Sequence, residues 1–374
     1  MNLNLDKFSF DVFGILLIIT AVFLLIQIFF LVRMLRFRPI RFENNDPLPP
    51  VSVVICGRNA ADNWTKLLPK LLEQDYPNFE IVAVNDRSWD NSEDVLEAFA
   101  KESTRIRLVR VQESETFFNG KKFALTLGIK AAKHDQIVLT DSDCIPSSKN
   151  WLRNMVLGFN EAEIILGYGD YFPQKGLLNA FIRWETLQTA LMGFSAAAAG
   201  RAYMALGRNL AYTRDLFYAR KGFYDHMHIP MGDDDLFVNH AAPFANVTWI
   251  AHPEAKTLSI PKQNYTDWWN QKRRHLQASK YYRRSSKFML GVYGLSKAGL
   301  MLGIIALAFS PFMLLCLVMF VIYMTLLSIA SWRFSKFWNL GAIGLLGPWL
   351  DLILIHIQGM AMIANFFRWK KPTW

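Results

Sequence analysis

"LTDSDCIP", residues 139–146, follows a hydrophobic run that reads as a buried strand, Gln136 to Thr140, with two aspartates one position apart. Carboxylates this close repel each other unless positive charge stands between them. The pair is therefore either a solvated turn, since Asp and Ser commonly follow strands in turns, or a cation site. The surrounding sequence has to separate these readings.

Outward from this stretch, short apolar runs alternate with amphipathic ones. Strands are expected at 51–56 ("VSVVIC"), 80–85 ("EIVAVN"), 106–111 and 136–140, and helices near 61–74, 92–102 and 121–133. Continuous β-branched runs flanked by helices predict a mostly parallel sheet covered on both faces, an α/β class. In such sheets ligands bind beyond the carboxyl ends of the strands. At those ends stand "GRNAADN" (57–63), "NDRSWDNS" (85–92) and "DSD" (141–143). No Gly-rich phosphate loop of the dinucleotide or P-loop type is present, so a diphosphate here would require a metal ion instead. Mg²⁺ or Mn²⁺ suits paired carboxylates and bridges readily to phosphates.

The order "VSVVICGRN", "VAVNDRSWDNS", "GKKFALTLGI", "VLTDSD", "MGDDDLFVNHA" and "QKRRH" resembles the inverting family 2 glycosyltransferases of the GT-A fold, over roughly residues 50 to 275. By position, the resemblance implies that Asp86 contacts the nucleotide base and Lys121 lies near the nucleotide. It implies Asp141 and Asp143 as the metal and diphosphate pair. Asp233 matches the catalytic base, with Asp234 or Asp235 able to share that role, and Gln271 and Arg274 match the first and fourth positions of a Gln-x-x-Arg-Trp motif. Asn85, Gly232 and His275 depart from the family pattern; the missing tryptophan at His275 argues against processive chain extension.

Composition adds a membrane. The chain of 374 residues is 52% hydrophobic, and residues 12–32, "VFGILLIITAVFLLIQIFFLV", carry no charge, matching the roughly 20 apolar residues that cross a bilayer. Without a small-residue cleavage site this segment reads as an uncleaved anchor. A second apolar region from about Met289 to Trp332 reads as a hairpin folding back at Ser310 and Pro311. A third, Phe337 to Phe367, contains Gly347, Pro348 and Asp351 and reads as a broken segment followed by one span.

The formal charge of +10 is not a nucleic-acid signal, because the basic residues crowd beside these apolar segments. Arg33, Arg36, Arg38 and Arg41 follow the first; Arg273, Arg283 and Arg284 are among those preceding the second, where headgroup attraction is the expected role. The positive-inside rule then puts the middle region in the cytoplasm, although Arg368, Lys370 and Lys371 also favour that side. Trp268 and Trp269 are expected as interfacial anchors, and His226 and His228 as loop residues without a zinc site. The segment 181–212 is either core or an acceptor entrance. Cys56, Cys144 and Cys316 show no disulfide framework.

The expected organisation is a membrane anchor and basic linker (1–48), a cytoplasmic GT-A glycosyltransferase domain (49–288) and a C-terminal transmembrane region (289–374). The expected function is a metal-dependent, membrane-bound transferase that moves a sugar from a nucleotide-diphosphate-sugar to a hydroxyl of a lipid or membrane-associated acceptor. A processive polysaccharide synthase, or a non-catalytic membrane scaffold with a vestigial fold, is the alternative.

Overall fold

The structure, a computed structural model, describes residues 5–38, 48–112 and 120–367. Arg41, Arg368, Lys370 and Lys371 lie outside the described residues. The chain forms two compact units: one runs up to Phe37 and resumes at Arg284, and the other is Arg38–Arg283.

After helix α1 (Leu5–Arg36), the second unit begins with β1 (Val51–Gly57), α2 (Ala61–Leu72), β2 (Phe79–Asn85), α3 (Ser92–Glu102), β3 (Ile106–Arg110), α4 (Lys121–Ala131) and β4 (Gln136–Leu139). It continues through β5 (Cys144–Pro146), α5 (Trp151–Val156), β6 (Ile164–Gly167), β7 (Gly169–Tyr171), α6 (Leu177–Ala198), β8 (Leu210–Thr213), α7 (Arg214–Ala219), α8 (Asp235–Ala241), β9 (Val247–Ile250), β10 (Thr257–Ser259) and α9 (Tyr265–Ala278). The seven-stranded sheet has the order β3-β2-β1-β4-β8-β6-β9. All neighbours in β3-β2-β1-β4 are parallel, β8 runs antiparallel to both β4 and β6, and β6 and β9 are parallel to each other. A small sheet, β5-β10-β7, is separate.

This order positions the site. The chain goes outward from β1 to β2 and β3, then returns to the other side of β1 as β4, so the connections diverge where β1 meets β4. At such a switch point a crevice opens beyond the strand ends. β1 is buried along its whole length, including Ser52, whose hydroxyl donates to Glu80 Oε1 at 2.6 Å, and Trp64, Leu67 and Leu71 of α2 pack in the same core as its Val51, Val53 and Ile55.

In the other unit α1 is joined by α10 (Arg284–Leu307), α11 (Met313–Phe337) and α12 (Ile343–Phe366). All four helices are long and apolar enough to cross a membrane. The fold-back falls at Ser310, whose hydroxyl donates to Leu307 O at 2.8 Å and accepts from Phe312 N at 3.1 Å. The expected broken third segment is instead one helix, α12, with Pro348 inside it. A proline this near a helix start removes one hydrogen bond, and the rest of the ladder is left to close. Gly303 lies where a Cβ would strike Thr20, the close approach of backbones typical of apolar helix pairs.

Candidate functional site

The aspartates of "DSD" occupy a tight turn after all: Cys144 N donates to Asp141 O at 3.1 Å. That turn also brings acidic groups together, so the two sequence readings coincide. Ligand atoms of Asp141, Asp143 and Cys144 all lie within 4.8 Å of one another. The two carboxylates suit a hard divalent cation. Cys144 suits it less, because its thiol is buried, pushed up chiefly by burial, and 3.0 Å from Ser259 Oγ.

Lys121, the first residue of α4, joins the turn to the acidic triplet. Its ammonium is 2.6 Å from Asp141 Oδ1 and 2.7 Å from Asp233 Oδ2. Burial alone would lower its pKa, but Asp141 and then Asp233 hold it well above the ordinary value. The next residue, Lys122, is buried and donates to His226 O at 2.7 Å and Ile229 O at 3.1 Å, fastening the loop that leads into the triplet. Burial brings its pKa down to about 8.

The three adjacent aspartates do not behave alike. Burial pushes the Asp233 carboxyl up, but the Lys121 charge and hydrogen bond outweigh it and hold the group below its ordinary value. Asp234 has no such partner and is pushed up to about 8, first by burial, then by Asp235 and Asp233. Its oxygens accept from Gly207 N and Asp235 N, both at 2.7 Å. Asp235 is raised by burial and accepts from the Tyr282 hydroxyl at 2.7 Å. The turn into the triplet requires Gly232, at φ +91°, where a Cβ would strike the Leu236 side chain.

Asp86 sits buried at the end of β2, where Arg87 Nε donates to it at 2.8 Å. Cys56, at the end of β1, is buried, and burial pushes its thiol well up, with Lys121 opposing and Asp86, Asp233 and Asp141 adding. Gln271 on α9 is 3.5 Å from the Tyr171 hydroxyl. Arg274 lies one turn further along α9, half-buried.

Sequence reasoning missed Arg208. Its guanidinium stacks on Tyr171 at 4.2 Å, and its charge lowers the pKa of Asp143, which burial and Asp141 otherwise raise. Its backbone is fixed because Thr140 and Thr257 hydroxyls both donate to Arg208 O, at 2.9 and 3.0 Å. Gly169 leaves the space this side chain fills, since a Cβ there would come within 2.6 Å of Arg208 Nε. The only sequence signal was "GRN" before a strand, too common to single out.

Several other expectations are corrected. Trp268 is buried and stacked on Phe181 at 6.2 Å, so it is core rather than an interfacial anchor. Arg273 is also buried, because α9 faces protein where headgroup attraction was expected; His226 lies in the loop before α8, as expected, and is buried there. In segment 181–212 the helical part, α6, is largely buried core.

Comparison with known proteins agrees with this geometry. A family model, Glycosyl transferase family 2, matches residues 52–203. The glycosyltransferase GlyG of Streptococcus pneumoniae is 30% identical over 122 residues, covering 33% of this chain and 39% of that protein. The probable glycosyltransferase YdaM of Bacillus subtilis is 27% identical over 257 residues, covering 64% and 57%. This chain thus matches well under two thirds of the length of either relative. Among solved structures, the mannosyltransferase PcManGT of Pyrobaculum calidifontis, in complex with GDP-Man and Mn²⁺, superposes with a TM-score of 0.60 at 16% identity, over 96% of this chain and 99% of that one. The shared fold is GT-A.

Proposed function

We propose, from the match of residues 52–203 to the family model Glycosyl transferase family 2, that the protein moves a sugar from a nucleotide-diphosphate-sugar to a hydroxyl of a lipid or membrane-associated acceptor, inverting the anomeric centre. The observation that carries this reading is the convergence of Lys121 with Asp141 and Asp233 at the switch point, 2.6 and 2.7 Å apart. Four helices able to cross a membrane favour a membrane-borne acceptor over a soluble one.

Asp141 and Asp143 would hold Mg²⁺ or Mn²⁺, which when bound supplies positive charge to the donor diphosphate. The GDP-Man and Mn²⁺ bound by PcManGT support this assignment of donor class and metal. Lys121 adds fixed positive charge beside the leaving phosphates, and Arg208 and Arg274 offer guanidinium forks for the same oxygens. Asp233 is ionised at neutral pH and takes the acceptor proton as the hydroxyl oxygen bonds to the anomeric carbon. The bond from that carbon to the diphosphate oxygen breaks, and the nucleoside diphosphate leaves with the electron pair. Asp86 would receive the nucleotide base if its pairing with Arg87 opens.

By the positive-inside rule, Arg33, Arg36 and Arg38 after α1, with Arg333 and Lys336 closing α11, put Arg38–Arg283 on the cytoplasmic side. An impermeant thiol reagent applied outside intact cells should label Pro311→Cys, at the exposed fold-back, and miss Asp90→Cys; the reverse pattern rejects this orientation. The activity itself is tested by incubating detergent-purified protein with Mn²⁺, a panel of nucleotide sugars and extracted membrane lipids, then identifying products by mass spectrometry. One sugar added to a lipid is the expected product. Long polymer would favour a processive synthase, and no product from any donor would favour the scaffold.

A further inference from the structure

Helix α8 lays Phe237, His240 and Ala241 along one wall of a cavity of about 240 Å³. Arg220, His226 and Arg283 complete its polar lining. The transfer chemistry uses none of these side chains. Arg220 is held 3.9 Å over the Phe244 ring, and Arg283 Nη2 donates to Ala202 O at 3.1 Å, so both guanidiniums are oriented in advance. Against these two cations stands one carboxylate of the lining, that of the exposed Asp225.

Two atoms of the lining residues lack the partners their burial demands. Arg283 Nε and His226 Nδ1 are buried with no hydrogen-bond partner among the described residues, and His226 is only 3% exposed. Such atoms are rare in native proteins and point to a missing ligand or water. The His226 ring is neutral, since burial, with Lys122 and His240 adding, brings its pKa down to about 3. An uncharged ring can still donate one N–H. Guanidinium forks beside a further N–H match the oxygens of a phosphate. The volume is below the roughly 300 Å³ at which pockets for drug-sized ligands begin, so it suits a phosphate group with a few waters and excludes a whole nucleotide.

We propose that this cavity is a second anion site, taking a phosphate group borne either by a soluble molecule or by a lipid headgroup. Its floor is tied to the transfer site through one residue, since His226 O accepts from Lys122 Nζ, next in sequence to Lys121. An anion bound to His226 and Arg283 would brace the loop from Gly222 to Gly232 that delivers the acidic triplet.

The probe is inorganic phosphate, followed by ³¹P line broadening on the full chain in detergent, in a Lys121→Ala background that weakens phosphate binding at the donor site. Saturable binding should persist in Lys121→Ala and weaken by about 10-fold or more when Arg283→Gln or Arg220→Gln is added, as loss of a charge-assisted contact implies. Arg220 is only partly buried, which guards against misfolding, and Arg283→Lys should retain most of the binding. Absence of saturable binding in Lys121→Ala, or affinity indifferent to both added substitutions, overturns the proposal. Repeating the titration in phosphatidylcholine nanodiscs with and without phosphatidic acid separates the two sources. Loss of the phosphate signal with phosphatidic acid assigns the site to a lipid headgroup, and an unchanged signal assigns it to a soluble phosphate.

Discussion

Two lysine–aspartate clusters in this molecule share a bond length and differ in everything around it. In the α/β unit, Lys121 meets Asp141 at 2.6 Å and Asp233 at 2.7 Å, with side chains 31%, 34% and 15% exposed. In the helical unit, Lys297 of α10 meets Asp351 of α12 at 2.7 Å, at 5% and 2% exposure, and the Tyr323 hydroxyl of α11 donates to the same carboxylate at 3.1 Å. The first cluster has more carboxylates than its lysine can neutralise and opens to solvent. The second joins a buried lysine to a buried aspartate and is sealed. An excess of charge beside an opening can take a ligand, whereas a closed pair can only fix one helix against another.

The comparison breaks most visibly if the open cluster proves dispensable. Asp233→Asn keeps the size of the side chain and removes the base, so sugar transfer should fall by roughly 10²- to 10⁴-fold while donor affinity persists. Asp143→Ala should lose metal-dependent donor binding while the domain stays folded, because the side chain pairs with Asp141 in a strand-end turn and is no part of the apolar core. Transfer rates and donor binding measured on purified variants separate these effects. Normal transfer by Asp233→Asn with an inactive Asp234→Asn would move the base one position along the triplet.

The sealed pair should show its effect in stability alone. Lys297→Met leaves Asp351 buried without its cation and should cost about 3 kcal/mol of unfolding free energy. The double variant Lys297→Met/Asp351→Leu should return to within about 1 kcal/mol of wild type, since an apolar pair needs no partner. Denaturant unfolding of the detergent-purified protein reads both values, and specific transfer activity per folded molecule should not change. A double variant that folds normally but transfers no sugar would show that this cluster also serves the reaction.

How much of this was legible in the sequence follows from the range of the forces involved. The strands up to β4 and the helices between them lie within a few residues of where hydrophobic periodicity put them, because burial on both sheet faces writes itself into every residue of a run. The strand-end aspartates were legible for the same reason. What periodicity could not supply was pairing between distant segments. Asp233 differs from Asp234 chiefly because Lys121, more than a hundred positions away, pairs directly with Asp233. Trp268 looked interfacial because its basic neighbours resemble a membrane flank, and only the packing on Phe181 shows otherwise. Arg208 drew no notice because its significance comes from Tyr171, Thr140 and Thr257, none of them adjacent in sequence.

Arg208 gives a smaller, sharper test of the open cluster. Replacing it with Gln removes one cation from the surroundings of Asp143 and should weaken donor binding by roughly 10-fold, the worth of one charge-assisted hydrogen bond. Gly169→Ala should reproduce part of that loss without touching any charge, by pushing the Arg208 side chain off Tyr171. Isothermal titration with the active donor would measure both. Unchanged affinity in the two variants would remove Arg208 from the donor site.

The smallest expected effect is a slope in pH, and it distinguishes neighbours within the triplet. Asp234 has a folded pKa of about 8 against an ordinary value of 3.8, so between these values the folded protein binds more protons than the unfolded chain. Its contribution to stability is full below pH 3.8 and is lost as the pH rises through about 8. Asp233 has the opposite sign, since a depressed carboxyl contributes above its ordinary value and loses that contribution only in acid. His226, depressed from 6.5 to about 3, also acts only below pH 6.5. Between pH 6.5 and 8, therefore, Asp234 should make stability fall with rising pH while Asp233 and His226 contribute no slope. Asp234→Asn should therefore flatten the fall in melting temperature across this window. Asp233→Asn should leave most of the slope in place, because the wild-type group is already ionised in both states and raises the Asp234 carboxyl less than burial and Asp235 do. A slope that survives Asp234→Asn intact, or one that vanishes in Asp233→Asn, would mean that Lys121 serves the other aspartate and that the base lies at position 234.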